Sequence, residues 1–171
     1  DSFRCFEFGV ECDEDSSGER DIGPRSNCRS DEDSAMLHSV QSYVDFVKGL
    51  KPGEEENIFV AGILGNIEPV AVQLRTPPNG GAQRPDLAPS CTYAGPNGNQ
   101  TADPGIRLKY FLDQFPSRST FTTICNDNLT DALVQIADAL KTLVGNPCIE
   151  GNLLDKDLNT VAPAEDAERV L

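Results

Sequence analysis

The chain has 171 residues, enough for one ordinary hydrophobic core. Acidic residues number 28 against 14 Lys plus Arg, giving a net charge of −14, and there is a single His. That balance argues against a nucleic-acid backbone or an anionic membrane surface as partner, since both need clustered cations; one His rules out any site that needs two.

In chain order, residues 1–35 have little apolar content beyond Phe3, Phe6, Phe8 and Val10, and they carry acidic runs such as Asp13-Glu14-Asp15 and Asp31-Glu32-Asp33. They read as a long solvated loop pinned by Cys12 and Cys28. Val40, Tyr43, Val44, Val47 and Leu50 recur at helical spacing, so residues 39–50 are predicted to be a helix capped by Ser39 and stopped by Lys51-Pro52-Gly53. The nearly continuous apolar run 57–65 predicts a strand buried on both faces, as in a parallel sheet. Residues 70–74 read as a further short extended piece, and 75–104 as a long irregular insertion rich in Pro, Gly and Asn. Asp103-Pro104 has the chemistry of a helix start, Asp as cap and Pro at the first helical position, with the helix running to Phe115. Residues 119–125 are β-branched and aromatic, hence a strand. Asn128 caps a last helix whose apolar stripe is Leu129, Leu133, Ile136, Ala137, Leu140, Leu143 and Val144. Residues 151–171 form an acidic tail or linker. This alternation of helices with buried-type strands predicts α/β crossovers on a parallel sheet, with too few strands for a sheet covered on both faces.

The six cysteines, Cys5, Cys12, Cys28, Cys91, Cys125 and Cys148, include no C-x-x-C pair. In an acidic, loop-rich chain they read as disulfides made in an oxidising compartment, and six cysteines allow fifteen complete pairings. No apolar run approaches the roughly 20 residues of a membrane span. The chain opens without Met or a signal peptide, as a processed or excised piece of a larger protein does.

Taken together, the block Phe3-Arg4-Cys5-Phe6-Glu7-Phe8-Gly9-Val10-Glu11-Cys12, the helix ending Tyr43-Val44-Asp45-Phe46-Val47-Lys48-Gly49-Leu50-Lys51, and the strand Ile58-Phe59-Val60-Ala61-Gly62-Ile63 form a pattern. Ser90-Cys91, Gly105-Ile106-Arg107-Leu108, Phe115, Ile124-Cys125 and Cys148 extend it. Over about residues 3–150 the chain resembles the C-terminal half of secreted von Willebrand factor type A-like proteins of myxobacteria and related bacteria. The resemblance implies a partial doubly wound, Rossmann-like parallel sheet flanked by helices, with residues 1–35 as an acidic Cys-containing region, 36–150 as the α/β part and 151–171 as tail. The family's metal-ion-dependent adhesion loop, Asp-x-Ser-x-Ser, has no counterpart here; Asp15-Ser16-Ser17-Gly18-Glu19 lacks the second Ser. No metal ligand is therefore carried over and no cofactor is expected in this chain, although a divalent metal could belong to the full-length domain. In the implied topology Cys91 and Cys125 share the face at the strand carboxyl ends, while Cys148 lies on the opposite face. The expected bridges are Cys12–Cys28 and Cys91–Cys125, with Cys5 and Cys148 left free.

Among candidate sites, the acidic loop Asp13 to Asp21 departs from a Ca²⁺-binding EF-hand because Pro24 stands where a bidentate Glu is required. Asp155, Asp157 and Asn159, with Asp166 at position twelve, fit that template better, but Thr160 replaces the Gly of the sharp turn. His38 has no nucleophile to activate and reads as exposed or capping. Neither Gly62-x-x-Gly65 nor Asn79-Gly80-Gly81 is a phosphate loop. The expectation is a non-catalytic, disulfide-braced, secreted or surface-attached adhesion domain. Its ligand would be a protein or surface component, basic or Ca²⁺-bridged. The alternative is part of a secreted enzyme or structural surface module whose functional residues lie upstream. Outside its fold, such a half-domain would expose an unpaired sheet edge and be marginally stable.

Overall fold

The structure is a computed structural model that describes residues 2–14, 20–96 and 98–144. The acidic run 15–19, the tail 151–171 with Asp155, Asp157, Asn159 and Asp166, and Cys148 lie outside the described residues.

The first correction comes at the amino end. Residues 2–11 are not loop: α1 spans Ser2–Gly9 and runs directly into β1 (Val10–Glu11). Phe3 and Phe6 stand at i and i+3 on one face of α1, and both are buried, as is Val10 at the start of β1. β1 pairs antiparallel with β3 (Arg29–Ser30), and β2 (Gly23–Arg25) pairs antiparallel with β5 (Val70–Arg75). The Cys12–Cys28 bridge closes the segment between them, with Cα atoms 4.1 Å apart. Acidic composition concealed these elements because most of the described carboxylates lie in turns and bends, while Phe3, Phe6 and Val10 reach the core.

α2 covers Val40–Lys48, and the Ser39 hydroxyl accepts the Ser42 amide, the N-cap expected from sequence. After a 3-10 turn at Glu55–Asn57 comes β4 (Val60–Leu64), which pairs in parallel with β9 (Ser119–Thr123), Val60 facing Ser119 and Leu64 facing Thr123. This parallel pair is the crossover expected from the sequence. It is a two-stranded sheet, however, and β4 is half-buried with Ala61 exposed, not covered on both faces.

Residues 75–104 also differ from the expected irregular insertion. β6 (Arg84–Leu87) extends the β2–β5 sheet in the order β2-β5-β6. β7 (Cys91–Gly95) and β8 (Gly98–Ala102) form an antiparallel hairpin. The described chain is thus mixed α/β with four small sheets, of which one is parallel.

α3 (Ile106–Asp113) starts later than the Asp103-Pro104 signal suggested, with Gly105 at the cap position and no side chain capping it. α4 (Thr130–Val144) begins where Asn128 Oδ1 accepts the Thr130 amide at 2.9 Å, as expected. Its packed face is not the long Leu stripe, because Leu129, Leu133 and Leu140 are exposed. Ala132 is fully buried, Gln135 bonds Thr122 on β9, and Ile136 and Ala139 are half-buried. A small residue at the contact lets the helix lie close to the strand.

Two cores result. One joins Phe3, Phe6, Val10, Cys12, Val70, Val72, Leu87 and Ile106. The other joins Val40, Val44, Ile58 and Phe115, with Val47, Val60, Tyr110 and Phe111 against it. α3 serves both, Ile106 entering the first and its carboxyl-terminal aromatics the second.

Candidate functional site

In an α/β crossover the carboxyl ends of parallel strands are where loops gather and ligands are met. Here Leu64-Gly65 ends β4, and Thr123-Ile124-Cys125 ends β9. The Ile124 amide donates to the Leu64 carbonyl at 2.8 Å, holding the two exits together.

The β7–β8 hairpin is fixed to this end. Cys91, the first residue of β7, is bridged to Cys125 with Cα atoms 5.9 Å apart. Thr123 Oγ1 lies 3.7 Å from Cys91 Sγ and accepts the Cys125 amide at 3.2 Å. At the base of the hairpin the buried Ser90 donates its amide (2.9 Å) and hydroxyl (3.3 Å) to the Ala102 carbonyl. The exit of β8 then crosses Gly65 so closely that a Cβ there would meet the Asp103 carbonyl oxygen at 2.1 Å. Gly65 is required by this close approach, since no side chain fits under the backbone of residues 102–103.

Beyond its anchored base the hairpin is largely exposed. Thr92, Ala94 and the strand Gly98-Asn99-Gln100-Thr101 face solvent, and Tyr93 is half-buried. The chemistry it offers is neutral and hydrogen-bonding: hydroxyls, two carboxamides and one phenol. The outer edges of a two-stranded hairpin also leave backbone donors and acceptors open to a partner.

Cys91, Cys125 and Gly65 apart, the described residues singled out by sequence do not build this end. Glu14 accepts the Ser26 amide and hydroxyl, which hold its carboxyl below the ordinary range. Asp13 accepts the Asn27 side-chain amide at 2.6 Å. His38 is exposed; its carbonyl accepts Arg107, and it does not cap α2. Cys5 is a free, exposed thiol on α1. Among the described residues no three His, Cys, Asp or Glu side chains converge as a metal site would require. No helix of the described residues is long and apolar enough to cross a membrane.

The hairpin was missed in the sequence, yet it had a signal. Gly95-Pro96-Asn97-Gly98 is turn chemistry flanked by Cys-Thr-Tyr and Asn-Gln-Thr, which extended backbone tolerates. No protein-family model matches the chain, and no curated protein or solved structure is significantly similar to it.

Proposed function

We propose that this chain is a non-catalytic binding module of an extracytoplasmic protein, and that it recognises its partner through the β7–β8 hairpin. The observation that carries the reading is the Cys91–Cys125 bridge, which fastens an otherwise exposed hairpin to the carboxyl end of the β4–β9 pair. A two-stranded hairpin alone is marginal in water. Covalent anchoring at its base, together with the Gly65 close approach, turns it into a presented surface. The two disulfides support an oxidising compartment. The net charge of −14 favours a protein or surface polymer of complementary positive charge. In this reading the parallel pair, with α3 in its crossover and α4 behind β9, is part of a von Willebrand factor type A-like sheet.

The test is retention of the fluorescently labelled chain on the surface of the cells that produce it. Replacing residues 93–100 by a short Asn-Gly turn should abolish retention while leaving both bridges intact. Undiminished binding by that variant would remove the hairpin from the function. Retention of the parent chain should fall at moderate salt, because the attraction is partly electrostatic.

A further inference from the structure

We infer that a cleft between α1 and β6, lined by no residue of the hairpin, is a binding site for a small oxyanion, a carboxylate or phosphate group. The cleft has a volume of about 220 Å³. Arg4 lines it from α1, Arg84 from the start of β6, and Arg20 from the segment between β1 and β2. Three of the chain's 14 cations thus meet at one place in a protein of net charge −14.

The carboxylates nearby are already occupied. Glu7, buried on the next turn of α1 from Arg4, accepts two bonds from Arg20, at 2.5 Å to Nε and 3.0 Å to Nη2. That fork fixes the Arg20 guanidinium at the wall of the cleft. Asp86 lies within 3.7 Å of Arg75 and accepts the Leu87 amide at 3.0 Å. Neither the Arg4 nor the Arg84 guanidinium has a hydrogen-bond or ion-pair partner among the described residues. Both are exposed, so each is solvated in the free protein, and an oxyanion entering the cleft gains two planar, permanently charged donors. Phe3 and Pro85 supply apolar surface for a short carbon chain. The volume is below the roughly 300–1,000 Å³ of pockets for drug-sized molecules, which restricts the ligand to a small organic acid or an inorganic oxyanion.

The experiment is calorimetric titration of the full chain at low ionic strength, with succinate and, separately, with inorganic phosphate. At least one of the two should bind saturably at one site, with Kd on the order of 1 mM or tighter. The tighter of the two identifies the group recognised. Arg84→Ala and Arg4→Ala should each weaken that binding by about tenfold, the loss of one charge-assisted pair. Arg84 is exposed on an edge strand, so its removal leaves the fold intact, as circular dichroism will verify. Lys51→Ala, an exposed cation that does not line the cleft, should leave the affinity unchanged. No saturable binding of either anion up to about 10 mM would overturn the assignment. Equal affinity in a folded Arg84→Ala variant would overturn it as well.

Discussion

Gly65→Ala puts the anchoring of the hairpin to the strand ends under direct strain. The new Cβ would stand 2.1 Å from the Asp103 carbonyl oxygen and 3.1 Å from Ala102 Cβ. An unstrained carbon–oxygen contact is about 3.3 Å, so the backbone of residues 102–103 has to retreat by roughly 1 Å. The obstacle is main chain, which cannot swing aside as a side chain can. Overpacking of this kind costs about 1–3 kcal/mol, and the upper end applies here. Replacing Gly by Ala returns about 0.4–1 kcal/mol through the unfolded chain, leaving a net loss of about 2 kcal/mol. For a chain of this size that is a fall in Tm of about 4–8 °C. Hydrogen exchange adds a local readout: the Ser90 amide, bonded to the Ala102 carbonyl at 2.9 Å, should exchange faster. Gly80→Ala is the comparison, since Gly80 has φ +77° and no atom within 4 Å of its would-be Cβ. It carries only the left-handed backbone penalty of about 1 kcal/mol and should leave Ser90 protection unchanged. If Gly65→Ala melts no lower than the parent and Ser90 stays protected, the strand exit does not sit over Gly65 and the account of the site fails.

Glu32 links the amino-terminal segment to α2, its carboxylate accepting the Ser30 hydroxyl at 2.6 Å and the Gln41 amide at 2.8 Å. Burial opposes its charge, but the bonds from Ser30, Gln41 and Val40 and the nearby Arg107 prevail and lower its pKa from 4.5. Because the folded value is depressed, the stabilisation is present above the unfolded value and fades as pH falls through the folded one. The stability gap between the parent and Glu32→Gln should therefore be open at pH 7 and close in acid below about pH 4.5, as denaturant titrations across pH will show. Replacing Cys12 and Cys28 together by Ser should cost about 3 kcal/mol by releasing a loop of sequence separation 16, read as a lower urea midpoint. Native alkylation followed by peptide mapping should label Cys5, and should leave Cys12, Cys28, Cys91 and Cys125 unmodified until reduction; label on any of those four before reduction contradicts the bridges.

Long periodic segments were legible in the sequence. α2, β4, β9 and α4 follow from helical spacing, β-branched runs and the Ser39 and Asn128 caps, because each is specified by local chemistry. The Cys91–Cys125 bridge was also within reach, since it depends on which face a strand ends on and not on the path of the chain between. What stayed hidden were short elements whose stability comes from elsewhere. α1 has eight residues and is too short to persist alone, so burial of Phe3 and Phe6 must hold it. β7 and β8 carry no apolar alternation, and a disulfide substitutes for the buried face a strand normally needs. Asp103-Pro104 gave a false start because the residues ahead of α3 are committed to crossing Gly65, and that tertiary constraint outranks a local cap.

α3 shows how these pieces act together. Arg107 projects from its first turn and donates to the Gly9 carbonyl at 3.2 Å and to the His38 carbonyl at 2.7 Å. One guanidinium thus ties together the end of α1, the approach to α2 and the helix itself. Gly9 lets this guanidinium approach, since a Cβ would meet Arg107 Nη1 at 2.2 Å and Leu37 Cδ1 at 2.7 Å and those side chains would have to shift. Ile106 beside it is buried in the first core, and Phe115 just past the helix in the second. Removing the Arg107 donors would leave two carbonyls without this partner where separate elements meet, at a cost of about 1–3 kcal/mol. The loss would fall on the contact between the amino-terminal segment and α2. The β4–β9 pair and its hairpin would remain, because their hydrogen bonds and the Cys91–Cys125 bridge do not pass through Arg107. If the hairpin is the recognition surface proposed above, the Arg107 bonds and the bonds that hold the hairpin are separate, so Arg107→Met should lower Tm while sparing retention at the cell surface. A variant that keeps its Tm but loses retention would show that the amino-terminal segment, and not the hairpin, meets the partner.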